Sequence, residues 1–246
     1  MSTGKVLPFR PSRDFSRRSD AAEWLDDPDR DPDELAAVLH DLARLNGATL
    51  GRLPVLLWLR RAIAAVPLGQ PLLLVDAGCG YGDLLRSIRS WARRRDIAIT
   101  LCGVDVDPRT IRIAQAATDA RDRIDFTVAD VLRWRPRAPI DLIVSSLLAH
   151  HLADHAIVDL LRWMERTARR GWLICDLQRH PLPHTVIGLA GKLTSLHPMV
   201  IGDGQISVTR ALIRSEWEAR LDEAGIPRRD VTMRWFLFRY LIGRLR

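Results

Sequence analysis

Lysine is almost missing from this chain. It stands only at Lys5 and Lys192, so all but two of the 37 Lys and Arg residues are arginine. A formal net charge of +7 and a pI near 10.2 would ordinarily point to nucleic acid or an anionic membrane face. The arginines, however, are spread over predicted helices and mixed with 30 acids, which is a skew of composition and not a binding patch. Cysteine is scarce as well: Cys79, Cys102 and Cys175 have no C-x-x-C spacing and no histidine at zinc-finger distance. Two of the three sit in apolar strand contexts, as buried free thiols do, which fits a reducing compartment. No long apolar run is present, because Leu53 to Leu68 is broken by Arg60 and Arg61. Met1 to Asp20 is polar and arginine-rich, without a signal-peptide core. The expectation is a soluble cytoplasmic protein with no transmembrane segment. Its 246 residues suffice for one α/β domain with decorations.

What is present centres on Leu72-Leu-Leu-Leu-Val-Asp76-Ala-Gly78-Cys79-Gly80-Tyr-Gly82-Asp83. This short apolar run ends in an acid and three alternate glycines, which reads as a buried parallel strand, a tight turn and a helix start. Glycine lets the backbone turn sharply and lets a ligand lie against its amides. A dinucleotide site wants G-x-G-x-x-G, whereas the third glycine here, Gly82, comes one place early. Before the loop, Met1 to Asp20 lacks periodicity and reads as a mobile tail, with helices over residues 21–70 that can serve as a lid. Leu35 to Leu50 has helical spacing, and Pro54 suits the first turn of a second helix, to Ala65.

After the loop, Asp83 to Arg95 is an amphipathic helix and Ile97 to Val104 a strand that ends at Asp105. Asp105 lies 25 positions beyond Gly80, one helix plus one strand, and so returns beside the loop, where its carboxylate can accept from ribose hydroxyls. Asp107 and Pro108 cap and open the next helix. Further strands are expected at Ile124 to Val128, Ile140 to Ser145 and Trp172 to Cys175. Between the last two lies a helix from Asp154 to Arg170, closed by Gly171. Five strand–helix alternations imply a parallel sheet wrapped on both faces, with ligands at the carboxyl ends of its strands. Asp76, Asp105, Asp130, Ser146 and Asp176 all fall at such ends. From 177 to 205 the pattern breaks into a Pro- and Gly-punctuated insertion. Ser215 to Glu218 reads as a capping box opening a last helix through Leu221, and Asp230 to Ile242 as a two-strand hairpin completing the sheet.

The D-x-G-x-G-x-G loop, Asp105, Asp130 and the stretch Ser145 to Leu152 together resemble the class I methyltransferases that use S-adenosylmethionine, over residues 72 to 176. The resemblance implies a Rossmann-like α/β fold with a seven-stranded, mostly parallel sheet and a C-terminal antiparallel hairpin, the domain spanning 71–246. It implies cofactor contacts from Asp76, Gly78, Cys79, Gly80, Asp105, Val106, Asp130, Val131, Ser146 and Leu147. Asn46, Cys175 to Arg179, Asp203 to Arg210 and the aromatic segment Trp235 to Tyr240 are further similar to a bacterial group found beside type III polyketide synthases. Members of that group are presumed to methylate phenolic or polyketide products. The chain departs from them at Gln178, where a basic residue is expected.

The sulfonium of such a cofactor is already an activated electrophile, so the protein must align the acceptor and exclude water. A phenol titrates near 10, so an oxygen acceptor gains from a nearby base, and histidine suits that role. His150 and His151, after the fourth strand, are the first candidates, with His180 and His184 second. Asp176, Arg179, His180 and Arg210 are candidates for holding the acceptor. Ser-Ser-Leu-Leu replaces the Asn/Asp-Pro-Pro-aromatic block of amino methylation on nucleic-acid bases, and there is no lysine pair for a ribose hydroxyl. A small-molecule substrate is expected, with no nucleic acid and no metal. Two other readings stay open: an RNA methyltransferase using Arg10 to Arg18 on phosphates, or a cofactor-binding fold that does not transfer methyl, such as a cyclase or assembly partner.

Overall fold

The computed structural model describes residues 14–64, 66–67, 69–193 and 196–246. Among these residues seven strands form one sheet in the order β3-β2-β1-β4-β5-β7-β6. They are β1 (Leu72–Ala77), β2 (Ile99–Asp105), β3 (Ile124–Val128), β4 (Ile140–Ser146), β5 (Ala168–Leu177), β6 (Thr232–Phe236) and β7 (Arg239–Leu245). The first five are parallel, and β7 runs antiparallel to both β5 and β6. This is the expected α/β class, and the order turns about β1 and β4. The crevice at a reversal of strand order is where open α/β sheets take ligands.

Among the described residues eight α-helices accompany the sheet: α1 (Pro32–Ala48), α2 (Leu53–Ala62), α3 (Asp83–Arg93), α4 (Pro108–Ala116), α5 (Asp154–Thr167), α6 (Pro181–Leu193), α7 (Pro198–Arg210) and α8 (Arg214–Ala224). Alternation along β1 divides the core, as a pleated strand buried on both faces must. Leu72 and Leu74 pack with Leu85 and Ile88 of α3 and Leu59 of α2, while Val75 and Ala77 pack with Ile157 and Leu161 of α5 and Trp217 of α8. Asp107 accepts from the Arg109 amide at 2.9 Å, with Pro108 at the first helical position, as the sequence implies for α4.

Several local expectations are corrected. Residues 14–20 of the expected mobile tail are docked, whereas residues 1–13 lie outside the described residues and with them Arg10 and Arg13. The Arg18 guanidinium holds this segment down, donating to the carbonyls of Arg210, Leu152 and His150 and to Asp154 at 2.5 Å. Helix α5 stops at Thr167, before Arg170, because Ala168 already pairs with Ile140 and Gly171 with Leu142 in the sheet. Gly171 therefore lies inside β5 and does not close the helix. The insertion is two further helices, α6 and α7. Helix α8 begins after Ile213, so Glu216 and not Glu218 bonds back, accepting from the Ile213 amide at 3.0 Å, and the helix continues to Ala224. An isoleucine side chain cannot accept a hydrogen bond, so this is half of a capping box. Among the described residues no helix is long and apolar enough to cross a membrane.

Candidate active site

The glycine loop lies between β1 and α3, at the carboxyl edge of the sheet. Gly78, Gly80 and Gly82 have φ of 72°, 49° and 73°, the left-handed region that side chains disfavour. A Cβ at Gly80 would meet nothing within 4 Å, so the loop leaves open space above bare backbone. Asp105 arrives beside it from β2: one carboxylate oxygen accepts from the Gly80 amide at 2.9 Å and the other from the Asp107 amide at 3.1 Å. Burial pushes its carboxyl up in spite of those two bonds. Val106 next to it is 68% exposed, a flat apolar surface beside the loop.

Asp76 is buried at the end of β1, and its Oδ1 has no hydrogen-bond partner. Burial, with Asp83 and Asp105 close by, drives its carboxyl well above the usual range. Ser146 and Leu147 line the same cleft from the end of β4. Leu147 has φ of 60°, a strained conformation for a leucine, held by a bond from its amide to the Cys175 carbonyl at 3.0 Å. An open loop, a strand-end carboxylate with spare lone pairs and an orphaned buried acid fit an adenosyl amino acid. Asp130 lies farther along the edge, half-exposed, where Oδ1 accepts from the Leu132 amide at 3.0 Å and Arg133 sits at 3.6 Å. The Val131 side chain packs into the core, so of that residue only the backbone is available to a ligand.

Beyond the loop opens a cavity of about 250 Å³. One wall is apolar, with Leu39 and Leu42 from α1, Val186 and Ile187 from α6, and Phe236 and Phe238 from the hairpin. The opposite wall is polar and is built around His150 and His151. His150 is buried, with Nδ1 at 2.6 Å from Asp176 Oδ1, and its Nε2 faces Glu23 at 3.8 Å. His151 is partly exposed, with Nδ1 at 3.3 Å from Asp26 and Nε2 at 3.7 Å from Glu23. Burial opposes the Asp176 carboxylate, yet His150 and the Leu177 amide hold it below the ordinary range. Burial raises Glu23 to about 7, against the pull of His151, the Ser207 hydroxyl and Arg210. Glu23, His150 and His151 bring one ligand-type atom each within 4.8 Å of one another, a set able to take a cation.

The acceptor candidates separate. Asp176 is joined to His150 and does not line the cavity. Arg179 points elsewhere: its buried guanidinium is held by Glu216 at 2.6 Å and by the carbonyls of Phe15 and Ala211. Arg210 is occupied with Asp26 at 2.7 Å and the carbonyls of His150 and His151, so it steadies the histidine loop instead of presenting a charge. His180 accepts from the Leu182 amide at the start of α6, outside the cavity, and His184 is buried edge-on to Phe15. Sequence reasoning missed Glu23, Asp26 and Arg239 as site residues. Glu23 and Asp26 sit in an acidic stretch without periodicity, placed only when Asp203 of α7 accepts from the Trp24 and Leu25 amides at 2.7 and 3.1 Å.

Residues 74–171 match the methyltransferase domain family. A curated relative is the trans-aconitate 2-methyltransferase of Azoarcus sp. (strain BH72), 33% identical over 42% of this chain and 39% of its own length. The chain thus matches well under half the length of that relative. Among solved structures, the magnesium protoporphyrin IX methyltransferase ChlM of Synechocystis PCC 6803 with bound SAH superimposes with a TM-score of 0.54 at 15% identity, covering 81% of this chain and 83% of that one. The CMeT domain of the citrinin polyketide synthase gives 0.59 at 12% identity over 79% and 52%. At such identities the likeness is one of fold, and the fold is the Rossmann-like one of these methyltransferases.

Proposed function

We propose that the chain is an S-adenosylmethionine-dependent methyltransferase that methylates an oxygen of a small phenolic or polyketide-like acceptor. The observation that carries this reading is the Asp176–His150 pair, which opens on an apolar cavity directly beside the glycine loop. When bound, the cofactor supplies a methyl group on a positively charged sulfur. Gly78, Gly80 and Asp105 would hold its adenosine half, with Val106 against the base. His150 receives the acceptor's proton on Nε2, because Asp176 engages Nδ1 and fixes the tautomer. Leu39, Leu42 and the α6 side chains exclude water from the transfer.

The curated relative is named for a tricarboxylate substrate, but this cavity suits a different acceptor. Buried Glu23 and Asp203 border it, and Arg179 and Arg210 are already paired with acids. Among the described lining residues Arg239 is the single arginine, too few for three carboxylates, whereas a neutral ring bearing an ionisable hydroxyl meets apolar walls and a base.

The test is incubation of purified protein with the cofactor and a panel of resorcinols, hydroxypyrones and trans-aconitate, followed by mass spectrometry. A gain of about 14 Da on a phenolic oxygen, lost with His150→Gln, is the expected result. Methylation of trans-aconitate alone overturns the acceptor class, and no methylation of any kind by protein that binds the cofactor favours the non-transferring reading.

A further inference from the structure

Among the described residues two arginines are buried, and they differ in one respect. Arg179 has a carboxylate, Glu216, at 2.6 Å. Arg239, at the start of β7, has no acid within ion-pair distance among the described residues, and donates to the amide oxygen of Asn46 at 2.9 Å. Its guanidinium rests on bare backbone: a Cβ at Gly51 would come within 2.6 Å of Nη2. A buried guanidinium facing only neutral groups is costly unless an anion completes it.

The cavity it faces names the kind of anion. Arg239 lines a small recess beneath the glycine loop, shared with Gly78, Ser146, Leu147 and Asp76. Asp83, in the same recess, is already answered by Arg52 at 2.8 Å. Asp76 is not: its Oδ1 is buried without a partner. One recess therefore holds an unanswered buried cation and an unanswered buried acid that do not pair with each other. A ligand that satisfies both carries a carboxylate and an ammonium together, as the α-carbon of an amino acid does.

We infer that Arg239, backed by Asn46 and seated on Gly51, binds the α-carboxylate of the amino-acid half of the methyl donor. This rests on the reading of the chain as an S-adenosylmethionine enzyme and adds a contact from the last strand of the sheet. A planar guanidinium can take both oxygens of a carboxylate, which a lysine cannot. A carboxylate on the acceptor is the other source of the same chemistry, and ligand choice separates the two.

The experiment is calorimetric titration of wild type, Arg239→Gln and Arg239→Lys with S-adenosylhomocysteine and with 5′-methylthioadenosine, which keeps the nucleoside but lacks the amino acid. Arg239→Gln is expected to weaken S-adenosylhomocysteine binding by about 10- to 100-fold and to leave methylthioadenosine within about twofold, with Arg239→Lys between them. Retained methylthioadenosine affinity certifies that the variants are folded. Unchanged affinity for both ligands overturns the inference and moves Arg239 to the acceptor. Equal loss for both also overturns it, since Arg239 then supports the fold. If wild type binds neither nucleoside, the donor assignment itself fails and this inference with it.

Discussion

Two histidines adjacent in sequence are unequal in space, and the difference is set by what stands behind each ring. His150 is buried with a carboxylate at 2.6 Å on Nδ1, whereas His151 leans on Asp26 at 3.3 Å at the rim of the cavity. His150→Gln is expected to lower turnover by about 100-fold or more with little change in cofactor affinity, and His151→Gln to have a much smaller effect. Steady-state rates and calorimetry on the two variants check this, and equal losses would contradict the assignment. Asp105 carries a different burden, since it clamps the Gly80 amide and, in the proposed function, accepts from a ribose. Asp105→Ala should weaken cofactor binding by about 2–4 kcal/mol, measured by the same calorimetry, because both the hydroxyls and the loop amide lose a partner.

At the level of elements, the motifs that depend on local chemistry were readable and those that depend on distant contacts were not. The Gly78 to Gly82 loop, the Asp107 cap and the β6–β7 hairpin follow from neighbours a few residues apart. The end of α5 does not: its last turn is given up because Ala168 pairs with Ile140, far back in the chain. Arg179 follows β5 at the ligand edge, which in the sequence suits an acceptor contact, yet α8 supplies Glu216 and turns it inward. That pair ties the start of α8 to the end of β5 and, through the Phe15 carbonyl, to the N-terminal segment. Glu216→Ala strips the buried guanidinium of its carboxylate, and the loss should be about 3 kcal/mol by urea unfolding. That figure is the lower end of the range for a broken buried pair, because Glu216 is itself about a third exposed. Glu216→Gln keeps an acceptor for the Ile213 amide and should cost less, whereas equal losses would assign the whole effect to the ion pair with Arg179 and none to the cap.

For the molecule as a whole, closing the N-terminal segment over the cavity buries an acid, and that burial makes stability depend on pH. Glu23 is 5% exposed, and its carboxyl is raised from 4.5 to about 7, chiefly by burial. The unfolded chain releases this proton near the lower value and the folded chain near the higher one. Between them the folded state binds more protons, so stability falls as pH rises through that window and is level above it. Over this span the loss is about 3 kcal/mol, at about 1.4 kcal/mol per unit. Glu23→Gln cannot ionise and still accepts from the Ser207 hydroxyl, which donates to Glu23 at 2.8 Å. Unfolding in urea at pH 5 and pH 8 should therefore show the variant gaining on wild type by about 2–3 kcal/mol between the two. Asp76 is raised in the same direction but is present in both proteins, so it cancels from the comparison. Curves that run parallel across this range would mean that Glu23 is ionised in the folded protein throughout, with Arg210 at 3.7 Å carrying its charge.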